Sequence, residues 1–589
     1  MAPCFLAAVR SPGHTEAGLF PRLAAAASPL GLAPVFEDGR LLVLATPSLR
    51  LTRIGETHGV VLGTLFQRDR VGGPYRVHDG VLDERAGRSG GDALLRSWWG
   101  AYVAFMSGAE RGAIHVLRDP SGAMACYRCA IPGAHVFFSD VTVACALGLI
   151  DPRPDRVFAG HCLAYPDLRT ARTGLIGVEE VLAGGRLSVQ LEGGAASTTA
   201  WTPWAFAAAD QQIRDRKQAL EALRAETQRC VSAWASRTAS IRLELSGGLD
   251  SSIVAACLKE QRAAIACVTL VTPDPGADER AYARSMAASI GAPLEEVLLD
   301  SAAGDVRAAP PMRSPRPGTG VLQQVLDTAL SGQGAQVDAI FTGGGGDNLF
   351  CYLGTAAPAA DVLLTHGPGS LFLETLDDLA VLHGCTAWRA GQMAIRKALR
   401  RPRPWRQDPL FLSNIALAPP DHHPWLDAPR GALPGKREHI AALMRIQNAP
   451  DGKARQAIAP IRYPLLSQPL VELCLTIPSW MWVTGGRNRA LARDAFSGRL
   501  PELILERTTK GDFTGFLGAI YERQKPALAD LLLGGWLAGE GLLDVVRIEA
   551  YLAASDPPRD VNFYRLLEIA GVEVWARSWL NVKPSAADA

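Results

Sequence analysis

Leu243-Glu-Leu-Ser-Gly-Gly-Leu-Asp-Ser-Ser252 is the stretch that decides how this chain is read. Ile241, Leu243 and Leu245 alternate with Arg242 and Glu244, which is the period of a strand. Gly247 and Gly248 then allow a sharp turn and a close backbone approach to a ligand. Ser251 and Ser252 open an apolar helix from Ile253 to Leu258. Such a unit leaves backbone N–H groups facing outward at a helix N-terminus, where a phosphate binds. Asp250 is the odd member, because a carboxylate repels a polyphosphate unless a cation lies between them. Mg²⁺ shared by a carboxylate and phosphate oxygens resolves that conflict. A plain glycine turn before a helix is the simpler alternative; the full string Ser246-Gly-Gly-Leu-Asp-Ser-Ser252 weighs against it.

Downstream, strand and helix patterns alternate from about residue 210, which predicts a parallel sheet with helices on both faces. Ala264–Val271, which contains Thr269, reads as the second strand, Glu296–Leu299 as a short one and Ala339–Phe341 as another. Asp278 is placed to cap a helix that opens at Asp278–Arg284. The strand at Ala339 runs into Thr342-Gly-Gly-Gly-Gly-Asp-Asn-Leu-Phe350. Ligands in such sheets lie beyond the carboxyl ends of the strands, so both glycine loops are expected on one edge. Gly343, Gly344, Gly345 and Gly346 give backbone access, and Asp347 is the second candidate carboxylate. A glycine-rich surface turn with a capping aspartate is the alternative. Upstream, residues 1–200 show short apolar runs broken by Gly, Pro and Asp: Leu41–Ala45, Val60–Leu65, Tyr102–Met106, His115–Leu117 and Val136–Phe138, all strand signals.

These motifs carry a resemblance. Ser246–Ser252 resembles the pyrophosphate-binding loop of the ATP pyrophosphatases, the family that includes asparagine synthetase. It is not a P-loop, since no Gly-Lys-Ser/Thr follows. The resemblance implies adenylation of a substrate with loss of pyrophosphate, and ATP and Mg²⁺ as cofactors. It places Ser246, Gly247, Gly248, Leu249, Asp250, Ser251, Ser252, Thr269, Gly343, Gly344, Gly345 and Gly346 on the nucleotide, and Asp250 and Asp347 on the metal. The C-terminal half, mostly helical in pattern, follows the family's order: Arg462–Glu472, Gly485–Arg493, Leu500-Pro501, Arg507–Gly511. Lys510 falls where the family keeps a lysine over the acyl-adenylate; loss of such a donor in a dry site costs roughly 2.7–4 kcal/mol. Asp250, Asp347 and Lys510 are thus the expected catalytic set, with a solvated surface lysine the alternative for Lys510. Asparagine synthetases place a glutamate, and β-lactam synthetases a tyrosine, where this chain has Gly344. The Gly-Gly-Gly-Gly-Asp-Asn form looks like that of lasso-peptide cyclases, or macrolactam synthetases, and a glycine there is expected to leave room for a bulky peptide.

Trp99–Phe105, Leu117–Gly122 and Val136–Asp140 resemble, in order, the glutaminase domain of asparagine synthetases. That implies two sheets flanked by helices, an Ntn-type αββα sandwich. The chemistry does not carry over. That glutaminase uses a cysteine as the first residue of its mature chain. Here the nearest is Cys4, and removal of Met1 would expose Ala2. No Arg-Gly-Pro-Asp or Asn-Gly-Glu motif is present. The expected architecture is therefore α/β: a degenerate class II glutamine amidotransferase over 1–205 and an asparagine synthetase-like parallel-sheet ATP pyrophosphatase over 206–589, with a helical C-terminal part.

The functional expectation is ATP-dependent macrolactam formation in a precursor peptide. The family implies a leader-removing protease and a leader-binding element as partners. A small-molecule amide synthetase, either an ammonia-dependent asparagine synthetase or a β-lactam synthetase, and a non-catalytic scaffold remain open. Net charge is +1 and no apolar run spans a bilayer, so neither nucleic acid nor membrane is expected as a partner. The N-terminus lacks a basic leader, and eleven scattered cysteines fit reduced thiols; both predict a cytoplasmic protein. Cys126 and Cys129, a lone Cys-x-x-Cys, do not predict zinc, and neither does His422-His423. Four weaker candidates stand against a surface reading. Arg487 and Arg493 could reach phosphates, and Arg396–Arg406 could grip a peptide. Among Glu374, Asp377 and Asp378, one could act as a general base.

Overall fold

The computed structural model describes residues 3–11, 18–68, 72–108, 113–190, 194–318, 320–331, 337–400, 405–414, 421–448, 453–508, 510–554 and 560–580. Phe5–Arg10 is buried at Phe5, Leu6, Ala7, Ala8 and Val9 alike, so both faces of this strand are covered. Four layers follow from that. One antiparallel sheet runs Glu179–Glu180, Tyr127–Ile131, Ala134–Phe138, Phe5–Arg10, Leu41–Ala45, Ala33–Glu37. A second runs Ala195–Thr199, Gly185–Val189, Ile114–Arg118, Trp98–Ser107, Gly59–Gln67, Leu51–Arg53. Phe5, Ala7 and Val9 meet Val60, Leu62, Val103 and Phe105 between the sheets. Leu6 and Ala8 face outward onto Leu19, Phe20 and Leu23 of the helix Leu19–Ala27. Leu94 and Leu95 of the helix Asp92–Ser97 cover the far side of the second sheet. This is the αββα sandwich the sequence predicted.

The second unit is built on a parallel sheet in the order Leu294–Leu298, Ala264–Val271, Ser240–Glu244, Ala339–Thr342, Ile461–Arg462. Both glycine loops leave the carboxyl edge of neighbouring strands, as expected. Helices fill the remainder up to Leu580. No helix among the described residues is long and apolar enough to cross a membrane.

Among the contacts that join the units are a patch of aromatic packing and a buried ion cluster. The last helix, Phe563–Leu580, lays Trp575 and Trp579 against the outer face of the first sheet. Its approach requires Gly174, where a Cβ would lie 2.2 Å from the Trp575 ring. The second of these is ionic. Glu180 is fully buried and faces three guanidinium groups: Arg118, Arg169 at 2.6 Å, and Arg316 at 2.9 Å. Arg316 reaches it from the second unit and also donates to the Thr170 and Arg172 carbonyls. Arg169 extends the other way, to the Gln447 carbonyl at 2.9 Å. Burial alone would push Glu180 up, but Arg169, Arg316 and Arg118 outweigh it and hold the carboxyl well below the usual carboxylate range.

Removing one partner of such a group leaves buried charge uncompensated. Glu180→Ala is expected to cost about 3–5 kcal/mol in urea unfolding. Because the folded-state pKa is depressed, Glu180 contributes stability above the unfolded carboxylate pKa and loses it as pH falls below about 5. Unfolding midpoints between pH 6 and pH 3 should therefore fall more steeply for the wild type than for Glu180→Gln.

Candidate active site

Ser240–Glu244 is the middle strand of the parallel sheet, and the chain turns at its end through Gly247, whose φ is +67°. A Cβ at Gly247 would lie 2.4 Å from Tyr282 Cβ, so the turn requires glycine in both conformation and space. The following helix spans Leu249–Leu258, two residues earlier than read from the sequence. Gly248, in extended conformation, caps it through its carbonyl, which accepts from the Ser252 N–H at 3.1 Å. Asp250 therefore stands in the first turn, where the helix dipole favours a carboxylate. Ser246 Oγ lies 3.2 Å from Ser251 Oγ and accepts from the Gly248 N–H. Leu249, Ser251 and Ser252 are buried beneath the loop, and Thr269 is buried in the adjoining strand two residues before its end.

The second loop is pressed against the first. A Cβ at Gly343 would sit 2.3 Å from the Ser251 nitrogen, and one at Gly346 would sit 2.3 Å from Asp250 Cγ. Gly345 has φ of +89° and packs on Leu466. Glycine at Gly343 and Gly346 is a condition of contact between the loops. Gly344 differs: a Cβ there would meet the Tyr463 ring at 3.0 Å. The room expected beside Gly344 is thus taken by an aromatic ring from the end of Ile461–Arg462.

The loops bring Asp250 and Asp347 together, and a residue not singled out in the sequence joins them. Arg489 Nη1 donates to Asp250 Oδ2 at 2.9 Å and also to Asp347 Oδ1. Its backbone is left-handed, φ +51°, which a non-glycine residue adopts at a cost of order 1–3 kcal/mol. Lys510 Nζ lies 3.1 Å from Asp347 Oδ2, with its side chain 67% exposed. Burial pushes the Asp250 carboxyl up to about 7, with Arg489 opposing and Asp347 adding to the rise. Burial would raise Asp347 too, but Arg489 and Lys510 bring it below its ordinary value.

Mg²⁺ fits this donor set. One guanidinium nitrogen touches both carboxylates, so a single cation can be shared between them. Among the described residues no cluster of three or more His, Cys, Asp or Glu could hold a metal ion, so a Mg²⁺ here would take its other oxygens from phosphate and water, as it prefers. Thr272 Oγ1, just past the end of Ala264–Val271, is buried with no hydrogen-bond partner and offers a polar atom to a ligand.

The remaining candidates divide. Arg493 is buried and donates to the Asn488, Ile504, Leu505 and Arg507 carbonyls, a strut under the segment that leads to Lys510. Arg487 pairs with Asp494 at 2.9 Å. Asp378 accepts from the Gly486 N–H at 3.0 Å, while Glu374 and Asp377 are exposed. His423 Nδ1 accepts from the Trp425 N–H, and His422 faces Asp427. Arg401 to Pro404 of the basic run lie outside the described residues. Glu279 and Arg507 were not foreseen: Arg507 pairs with Glu279 and donates to the Gly247 carbonyl at 3.3 Å, and Glu279 accepts from the Gly511 N–H at 3.1 Å. They tie the Lys510 segment to the first loop. In the N-terminal sandwich Cys4 is buried, and burial pushes its thiol up to about 11, which disfavours the thiolate a nucleophile needs.

A family model described as asparagine synthase matches residues 222–577, more than half of the chain. No curated protein matches it. Among solved structures, it is similar at 12% identity and TM-score 0.20 to the glutamine phosphoribosylpyrophosphate amidotransferase from B. subtilis complexed with ADP and GMP, over 59% of this chain and 77% of that one. A structure described as the allosteric regulatory enzyme of purine biosynthesis is similar at 10% identity and TM-score 0.20, over 58% and 74%. Scores this low carry no argument.

Gly346→Ala should drive a methyl group into the Asp250 carboxylate and part the two aspartates. Calorimetry is expected to show MgATP affinity reduced at least about tenfold, with the unfolding midpoint little changed.

Proposed function

The chain belongs to the asparagine synthase family, whose domain carries out ATP-dependent amide bond formation, and on that premise we propose that it closes a macrolactam in a peptide. The observation that supports this most is the meeting of Asp250, Asp347 and Lys510 at the carboxyl edge of the parallel sheet. In the proposed reaction an Asp or Glu side chain of a precursor peptide attacks the α-phosphorus of ATP. The bond to the bridging oxygen breaks and pyrophosphate leaves. The peptide's own N-terminal amine then attacks the acyl carbon, AMP departs with the carbon–oxygen electron pair, and the amine loses a proton.

Each residue has a stated part. The Ser246–Ser252 turn and the Gly343–Gly346 turn offer backbone N–H groups to the phosphates. Asp250 and Asp347 would hold Mg²⁺, which would neutralise the leaving pyrophosphate. Lys510, tethered at Asp347 but otherwise exposed, would reach the charge that develops on the acyl-adenylate. Two features favour a peptide amine over ammonia as the nucleophile. The Gly-Gly-Gly-Gly-Asp-Asn loop resembles that of lasso-peptide cyclases. The buried Cys4, its thiol pushed up to about 11, gives no support for glutamine hydrolysis in the sandwich. A leader-removing protease and a leader-binding element complete the proposed assembly.

Mass spectrometry of a reaction with this protein, ATP, Mg²⁺, the leader protease and the small peptide encoded beside its gene tests the reading. A peptide lighter by one water, with AMP formed in step, is expected. Asparagine formed from aspartate and ammonia, with the peptide left linear, would move the assignment to small-molecule synthetases. Asp250→Ala and Asp347→Ala should abolish ATP–pyrophosphate exchange. Lys510→Ala should retain ATP binding and lower the closure rate about 10²–10³-fold.

A further inference from the structure

The helices Ala357–His366, Ser370–His383 and Ala387–Leu399 pack around their own apolar cluster, which includes Ala359, Val362, Phe372, Leu379 and Ala394. The third helix has two unlike faces. Ala390, Gly391 and Ala394 are buried in the bundle. Flanking that buried face, Trp388, Ile395 and Leu399 stand at i, i+7 and i+11, which places them in one stripe along the helix. They are 77%, 47% and 82% exposed. Arg389, Arg396 and Arg400 repeat the same spacing one residue further round, forming a second row beside the first. Among the described residues none of these three arginines meets a carboxylate, whereas Lys397, nearer the bundle, is paired with Glu438.

Scattered exposed apolar side chains need no explanation, but an ordered row with unpaired cations in register does. We propose that the outer face of Ala387–Leu399 docks an acidic amphipathic polypeptide segment, with apolar side chains at helical spacing and Asp or Glu beside them. The proposal rests on the reading of the protein as a ligase that acts on a polypeptide. Such an enzyme gains from gripping its chain away from the reacting carboxylate, because ring closure is mainly a matter of orientation. Size favours a polypeptide over an anionic bilayer. The apolar stripe is roughly 16 Å long, about three turns of one helix, which matches a single docked segment and not a broad lipid surface.

The platform is braced to the nucleotide site. Asp378 accepts the Gly486 N–H at 3.0 Å. Gly486, φ +65°, lies so close to Val381 that a Cβ would sit 2.5 Å from its Cγ1. Arg489, which bridges the two aspartates, follows three residues later.

The test uses the full chain and fluorescence anisotropy of a labelled synthetic helix with leucines at i, i+4, i+7 and i+11 and glutamates elsewhere. Its lysine counterpart is the control. The glutamate peptide is expected to bind with an affinity that falls as salt rises, and W388S/L399S should weaken it at least about tenfold. R389E/R396E/R400E should abolish that binding and confer binding of the lysine peptide. The substituted positions are exposed, and MgATP calorimetry on the same variants should match the wild type, so loss of docking is distinguishable from failure of the ligase reading. Four results would overturn the proposal: equal binding of both peptides, no effect of either set of substitutions, sedimentation with phosphatidylglycerol vesicles in place of peptide binding, or a dimer in sedimentation velocity that the charge reversal dissolves.

Discussion

The site depends on one close approach: the Gly343–Gly346 turn laid on the Ser246–Ser252 turn with no side chain between them. It sets the separation of Asp250 and Asp347, and so decides whether one cation can serve both. The parallel sheet fixes that approach from below, since Ser240–Glu244 and Ala339–Thr342 are neighbours in register and release their loops on the same edge. Arg489 and Lys510 come from the helical part to meet the aspartates, held there by Arg493 from within and by the Arg507–Glu279 pair beside the first loop. Strain at Arg489 is stored where the contact needs it and is offset by the carboxylates it joins.

The sandwich holds buried groups of very different weight. Cys4 is a core residue just before the first strand, its N–H on the Thr46 hydroxyl. The Glu180 group does the opposite work, since it cannot be removed without stranding three cations. A neutral buried thiol can be replaced by a small apolar side chain at modest cost, whereas a buried charge cluster that spans two units resists change.

Much of this was legible in the sequence because it is local. Leu41–Ala45 and Ala264–Val271 agree with their readings residue for residue, and the strand from Ala339 runs one residue longer. Their apolar patterns are self-contained. Ala33–Glu37 and Leu51–Arg53 went unread, as each carries polar residues or proline and exists by virtue of a neighbour. Asp250, Asp347 and Lys510 were found through motif strings. Arg489 lies inside such a string, but its role follows from a left-handed backbone that no periodicity announces. The ring of Tyr463 beside Gly344 and the tie between Glu279 and Arg507 join distant segments, and nothing local encodes them.

The packing of Trp575 and Trp579 on the first sheet bears on how the chain is made. A ribosome delivers Phe5–Arg10 long before Phe563–Leu580. Throughout that interval part of the sheet's outer face lacks the helix that covers it, and exposed apolar surface of this kind invites aggregation of the nascent chain. The sandwich therefore completes its packing only after the second unit has been made, although it is translated before that unit.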